Sequence, residues 1–358
     1  MFEIPFRPEN SAQLLEVFSR LRQATMQLCR VSNADLFALL EKVGELWRPE
    51  GEYFEQALSL LKGPFSEASV RAALMNLSMS LKGEVVKAEL SRELGRADLL
   101  ETWQADELRI GHTRGYPLGV VAQVLAGNVF LNGVVGLSQC LLTRNAALLK
   151  LSQRDSGFTE LFVRSIHEAD SKGLVREAIA VCSWGREQEE MHQVLRGEAD
   201  AIVVWGGESA IAAYPQHACR GKVIHYGPRL GLGVVATGFN LKVGLDQLAW
   251  DVALWEQQAC SSPRVLFVED RDKSREFPQQ VAQGLCDALS RIGQQIPPQR
   301  LSLDDKAEVL SIREFADWKQ HATIYASPRC MTHTVLLHDE IPREIPVGYR
   351  TVVIVLVK

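Results

Sequence analysis

Between residues 10 and 94 apolar side chains recur at intervals of three and four, as in Leu14, Leu15, Phe18 and Leu21 and again in Val70, Ala73, Leu74 and Leu77. Side chains at that spacing share one face of an α-helix, so this stretch predicts several amphipathic helices. Gly51, Gly63 and Pro64 punctuate it, and Asp35 and Ser66 are suitable helix starts. Beyond Pro117 the texture changes. Runs 119–125, 146–149, 178–182, 201–205 and 222–225 read as strands, separated by helical windows at 133–142, 159–169 and 187–195. That alternation predicts a parallel, doubly wound sheet, because a crossover helix is what returns the chain to the same end of the sheet.

Ligands of such sheets gather beyond the carboxyl ends of the strands. The turns to watch are therefore Ala126-Gly127-Asn128, Lys150-Leu151-Ser152 and Trp205-Gly206-Gly207-Glu208. A helical window at 244–257 then leads to Cys260. After Pro263 come a strand at 265–268, helices at 277–291 and 304–320, and strands at 323–325, 334–337 and 351–357, which predict a second α/β lobe. The expected organisation is a helical region over 1–115, a doubly wound domain over 116–260 and the second lobe over 261–358. No internal repeat or low-complexity segment interrupts it.

Composition narrows the function classes. With 46% hydrophobic and 23% charged residues among 358, the chain is globular and long enough for two cores. A formal charge of -5 gives no general attraction to nucleic acid or to an anionic membrane, which leaves small molecules and proteins as partners. Met1-Phe2-Glu3-Ile4-Pro5 has neither a basic start nor a signal-length apolar run, and no later apolar stretch is long enough to span a bilayer; a cytoplasmic location is expected. The cysteines at 29, 140, 182, 219, 260, 286 and 330 lack paired spacing, so any that matters acts as a thiol. The histidines form neither H-x-x-x-H nor H-E-x-x-H, and no metal is expected. The absence of G-x-S-x-G and of G-x-x-x-x-G-K-[ST] argues against a serine hydrolase and a P-loop nucleotidase.

Taken singly, the candidate residues are weak signals. A free cysteine is commonly a small buried hydrophobe, but Gln257, Gln258, Ser261 and Ser262 make the surroundings of Cys260 a polar junction. Gly206-Gly207 at a strand end lets backbone amides approach an anion, although an ordinary turn is the commoner explanation of such a pair. Lys150 is placed to meet a ribose or phosphate, or simply to be solvated.

Their order is more specific. Pro117-Leu118-Gly119-Val120-Val121-Ala122-Gln123-Val124-Leu125-Ala126-Gly127-Asn128, Lys150-Leu151-Ser152, Trp205-Gly206-Gly207 and Gln257-Gln258-Ala259-Cys260 together resemble the ordered motifs of the aldehyde dehydrogenase superfamily. Within it, Ala126-Gly127-Asn128, Arg144-Asn145, Tyr226-Gly227-Pro228-Arg229 and Gln257-Gln258-Ala259-Cys260-Ser261-Ser262-Pro263 resemble the acyl-CoA reductase branch, to which the fatty acid reductase subunit of bacterial bioluminescence belongs. The similarity runs from about residue 85 to 270.

The resemblance implies an aldehyde dehydrogenase-like α/β fold, with a Rossmann-type cofactor domain and a second α/β catalytic domain. It implies NADPH-dependent reduction of a fatty acyl thioester to the aldehyde, with an acyl-CoA or acyl-protein donor, an acyl-protein synthetase as a candidate partner, and a homo-oligomer. Cys260 would be the acyl-accepting nucleophile and Asn128 an oxyanion donor acting with the Cys260 backbone N–H. A helix cap near Asn132 is the alternative role for Asn128. Lys150 and Ser152 match positions that hold the adenosine ribose, and Gly206-Gly207 match the turn near the pyrophosphate. Gln153 stands where NAD-selective members often carry an acid; a neutral residue beside Arg154 favours NADPH, with NADH the alternative.

Two departures matter. Members that oxidise aldehydes to acids carry a water-activating glutamate where this chain has His225-Tyr226-Gly227-Pro228-Arg229, so hydrolysis of an acyl-enzyme is expected to be poor and exchange with a thiol easier. His225 is a candidate for proton transfer, a structural hydrogen bond being the alternative. The chain also ends at Val355-Leu356-Val357-Lys358, before the longer C-terminal segment that the resemblance implies. The expectation is a shortened catalytic lobe, with acyl transfer without reduction, or a binding role in an inactive relative, as alternatives.

Overall fold

A computed structural model describes residues 4–62, 65–105, 110–127, 129–153, 155–318, 322–326, 331–345 and 348–357. Two compact units divide the chain: residues 1–61 with 72–228, and residues 62–71 with 229–358.

The N-terminal periodicity becomes five helices, α1 (Ser11–Leu28), α2 (Asn33–Leu46), α3 (Glu52–Leu60), α4 (Glu67–Ser80) and α5 (Gly83–Leu94). Residues 67–71 of α4 count with the second unit and the remainder with the first. Ser66 caps α4 by accepting the Ser69 N–H at 3.2 Å. The start of α2 differs from the expected Asp35. Ser32 is the cap: its hydroxyl accepts the Asp35 N–H and donates to the Asp35 carboxylate at 2.7 Å. Asp35 thus sits in the first turn, where a negative charge opposes the positive end of the helix dipole.

In the first unit β1 (Gln104–Ala105) and β2 (His112–Thr113) form a short antiparallel ribbon. The doubly wound sheet then follows: β3 (Val120–Val124), α6 (Asn132–Leu142), β4 (Ala146–Lys150), α7 (Phe158–Ala169), β5 (Ile179–Cys182), α8 (Glu189–Glu198), β6 (Ala201–Trp205), α9 (Glu208–Ala212) and β7 (Lys222–Tyr226). Its strands are all parallel, in the order β5-β4-β3-β6-β7. Every residue of β3, β4 and β5 is buried, as a parallel sheet covered on both faces requires.

Arg144-Asn145, quoted above for its family resemblance, has a structural task. The Arg144 guanidinium is buried and donates to the carbonyls of Val31 and Leu142 and to the Asn33 side chain, tying the start of α2 to the end of α6. Asn145 accepts the Gly119 N–H at 3.0 Å, just before β3. Trp47 gives a second tie. It is fully buried against Phe158 and Phe162 of α7, and its indole N–H donates to Ser165 at 2.8 Å.

The second unit contains β8 (Gly231–Val235), α10 (Leu241–Ala253), β9 (Pro263–Glu269), α11 (Glu276–Gln295), α12 (Leu303–Trp318), β10 (Ala322–Ala326), β11 (Thr334–His338) and β12 (Thr351–Val357). The sheet order is β10-β11-β12-β9-β8, parallel except for the antiparallel β10. Successive residues of β12 serve opposite cores: Val352 and Ile354 pack with Leu285 and Leu289 of α11, and Val353 and Val355 pack with Ala316 of α12. Both β8 and α10 precede Cys260 yet belong to this unit, because β8 pairs with β9 and α10 packs on α11. The division therefore falls at Pro228/Arg229, and Cys260 lies inside the second unit, where the sequence placed the boundary at the cysteine itself.

One buried group in this core carries a pH consequence. His333 is 2% exposed, with its imidazole against the Cys286 thiol at 3.3 Å and the Thr332 hydroxyl at 3.0 Å. Burial, with the charges of Arg313 and Arg350, lowers its pKa from 6.5 to about 4. The neutral ring is thus favoured in the folded state, and the unfolded chain binds the proton more readily. That contribution is fully present above pH 6.5 and is lost as pH falls through 6.5 toward about 4, amounting to about 3 kcal/mol. Urea titrations across this interval are expected to show a steeper loss in the wild type than in His333→Gln. Parallel curves would contradict the assignment.

Candidate active site

The parallel sheet reverses its strand order at β3, whose neighbours are β4 and β6. Val124, the last residue of β3, pairs with Lys150 on one side and with Val204 on the other. The expected cofactor residues thus flank one topological switch point, the usual ligand crevice of such sheets.

Lys150 is 7% exposed, which removes the solvated-lysine alternative. Its ammonium lies 5.7 Å from the centre of the Trp184 ring, and burial, followed by the positive charge of Arg186, lowers its pKa. A cation so placed gains from any ligand oxygen that replaces lost water. Ser152, half-buried in the turn after β4, accepts the Asp155 N–H through its carbonyl at 3.1 Å.

At the end of β6, Gly206 has φ 156°, and a Cβ there would stand 3.0 Å from the Ala210 Cβ. A Cβ added at Gly207 would meet nothing within 4 Å. The two glycines leave bare, accessible backbone at the strand end, which a phosphate can approach. Trp205 before them is held on two sides, by stacking on Tyr226 with ring centres 4.2 Å apart and by donation from its indole to Gln123 at 2.8 Å. His225 contacts the Tyr214 carbonyl through Nε2 at 3.1 Å. A nitrogen facing a carbonyl must carry the proton, which leaves Nδ1 for any exchange.

Cys260 is exposed, on the turn between α10 and β9. The helix predicted to run to residue 257 ends at Ala253, since Glu256 and Gln257 take φ of 49° and 59°. Gln257 is fully buried; its amide donates to the carbonyls of Pro263 and Thr351 and accepts the Thr351 N–H at 2.9 Å. Glu256, 7% exposed, forms a two-pronged ion pair with Arg350, 1% exposed. Gly231 makes room for the turn: a Cβ there would stand 2.1 Å from the Ser262 carbonyl oxygen. The thiol is therefore an exposed tip on a buried, polar base held by the side chains of Glu256, Gln257, Arg264 and Arg350.

Asn128 lies outside the described residues, as does Arg154. Lys150, Ser152, Gly206, Gly207 and His225 belong to the first unit and Cys260 to the second. Sequence reasoning missed Glu256 and Arg350. The signal available was an acidic residue closing an apolar helix only four positions before the thiol, which called for a cation elsewhere. Among the described residues no group of histidine, cysteine and carboxylate side chains is arranged to hold a metal, and no helix is long and apolar enough to cross a membrane.

A family model described as acyl-CoA reductase (LuxC) matches residues 28–358. The long-chain acyl-protein thioester reductase of Vibrio harveyi is 24% identical over 319 residues, covering 86% of this chain and 64% of that protein. The corresponding protein of Aliivibrio fischeri is 26% identical over 241 residues, covering 64% of this chain and 48% of that protein. The chain spans about half the length of several curated relatives it matches, 48% for Photobacterium leiognathi and 54% for Photorhabdus luminescens. Among solved structures, an NAD-dependent benzaldehyde dehydrogenase from Corynebacterium glutamicum superposes with a TM-score of 0.69 at 14% identity, over 97% of this chain and 76% of that one. The NADP-dependent glyceraldehyde-3-phosphate dehydrogenase from Bacillus halodurans C-125, complexed with NADP, gives 0.66 at 16% identity, over 97% and 74%. What is shared at these identities is the fold, that of the aldehyde dehydrogenases.

Proposed function

Because the chain belongs to the acyl-CoA reductase (LuxC) family, we propose that it reduces a long-chain fatty acyl thioester to the aldehyde with NADPH, through an acyl-cysteine at Cys260. The observation that carries this reading is the exposed Cys260 thiol on a rigidly bonded base in a chain of this family. The Cys260 sulfur attacks the acyl carbonyl carbon, a new C–S bond forms, and the donor's C–S bond breaks. The donor sulfur leaves with the proton that Cys260 gives up. Asn128 and the Cys260 N–H are proposed as donors to the oxyanion of the tetrahedral intermediate.

NADPH suits the first unit's residues. In this reading Lys150, with Ser152, would hold the adenosine ribose and Gly206-Gly207 the pyrophosphate; the burial of Lys150 and the open backbone at Gly207 support it. When bound, the cofactor supplies the hydride that reduces the acyl group. With a proton this gives a thiohemiacetal on Cys260, whose C–S bond then breaks to release the aldehyde and restore the thiol. His225 is the candidate for relaying that proton, taking it from water at Nδ1 and passing it on while Nε2 keeps its bond to the Tyr214 carbonyl.

Hydrolysis is disfavoured because residues 225–229 contain no carboxylate and the nearby Glu256 is held by Arg350. The same reading takes the donor as acyl-protein or acyl-CoA, an acyl-protein synthetase as the partner that loads it, a homo-oligomer as the assembly and the cytoplasm as the location. The names of the relatives, long-chain acyl-protein thioester reductases, support the acyl-protein donor.

The test incubates the full chain with palmitoyl-CoA, then adds NADPH, following nicotinamide absorbance and intact protein mass. A palmitoyl adduct that is discharged as palmitaldehyde while NADPH is consumed is the expected outcome. An adduct never discharged by NADPH would assign acyl transfer instead, and neither adduct nor oxidation would sink the proposal.

A further inference from the structure

The residues just before Cys260 carry an unusual concentration of backbone strain and buried polarity. Glu256 and Gln257 have φ of 49° and 59°, and across from them Tyr349 and Arg350 have φ of 55° and 51°. None of the four is glycine or asparagine, so each conformation persists only because its surroundings impose it. The two segments are joined directly. The Arg350 fork holds both oxygens of Glu256 while its remaining nitrogen donates to the Ile296 carbonyl at 2.9 Å. Gln257 takes the N–H and carbonyl of Thr351 and also the carbonyl of Pro263. Arg264 then closes the base of the loop by donating to the Gln257 carbonyl at 3.1 Å.

We infer that Glu256, Gln257 and Arg350 form a latch that positions the Cys260 loop for acyl transfer, an inference resting on the reading of Cys260 as the acyl-accepting thiol. A buried ion pair stabilises a fold no better than well-packed apolar residues of similar volume. What the fork and the amide supply is direction. They fix both ends of the exposed segment between Gln257 and Ser262, and with them the Cys260 N–H and the angle at which its sulfur meets a carbonyl. Acyl transfer needs both at once, whereas alkylation by a small reagent needs only an accessible thiolate. Glu256, Gln257 and Arg350 are positioning residues, since they act through Cys260.

The test compares the wild-type full chain with Glu256→Leu/Arg350→Met, which keeps apolar volume in place of the ion pair, and with Gln257→Met. Three quantities are measured on Cys260 and its loop: acylation by palmitoyl-CoA, alkylation by iodoacetamide, and amide hydrogen exchange of residues 254–263. The latch predicts faster exchange confined to this segment, acylation slowed about 10- to 100-fold, and alkylation changed by less than about 3-fold. Unchanged exchange, or acylation and alkylation that fall together, would overturn it. If the double variant does not fold, Gln257→Met is judged by the same criteria. Should the wild type accept no acyl group, it is the proposed function that fails, and the exchange measurement still decides whether the latch holds the loop.

Discussion

Under the proposed function, Cys260→Ser is expected to lower NADPH-linked reduction of palmitoyl-CoA by at least about 10³-fold and to remove the acyl adduct from the intact protein. The loss is chemical in origin. At neutral pH roughly a few per cent of an ordinary thiol is already thiolate, whereas a serine hydroxyl needs a strong base beside it before it attacks a carbonyl. Residues 225–229 hold no carboxylate, and Glu256 is committed to Arg350. Cys260 is exposed, so exchanging sulfur for oxygen there changes stability by no more than about 0.5 kcal/mol. Single-turnover acylation read by mass separates this from misfolding. Cys29, exposed, and Cys219, half-buried, remain in the variant and report non-specific acylation. Full activity in Cys260→Ser would refute the assignment of the nucleophile.

Arg350→Ala destabilises the protein by about 3–5 kcal/mol, because it leaves the Glu256 carboxylate buried with neither countercharge nor water. It also strips the Ile296 carbonyl of its donor. Replacing both partners at once, as in Glu256→Leu/Arg350→Met, costs far less, since no charge is stranded. Thermal unfolding of the two variants side by side checks this, and the informative quantity is the gap between them. Equal melting temperatures would mean that the ion pair is solvated in solution.

Much of the first unit was legible in the sequence. The predicted strand at 146–149 became Ala146–Lys150, and that at 201–205 became Ala201–Trp205, because apolar runs of only four or five residues between turn signals are too short for helices. The same logic puts Lys150 and Gly206-Gly207 beyond the carboxyl ends of strands, and the strand order adds that β4 and β6 are the two neighbours of β3. Strand β8 escaped notice. It has glycine at 231 and 233, and its outward residues Leu232 and Val234 are 58% and 76% exposed, so it shows neither strand propensity nor the usual alternation. The end of α10 was also misplaced. Periodicity reads neighbours along the chain, whereas the left-handed turn at Glu256 and Gln257 is imposed by Arg350 and Thr351, 94 residues away in each case. The polar character of the Cys260 junction was visible; the partner that gives it shape was not.

That separation has a consequence in time as well as in space. A ribosome adding about 5–20 residues per second completes Arg350 roughly 5–20 s after Glu256, given the 94 residues between them. Through that interval Cys260 is already part of the nascent chain, but the arginine that anchors its loop does not yet exist. The bonded base of the Cys260 loop therefore forms only after Arg350 and the strand that follows it, β12, have been made.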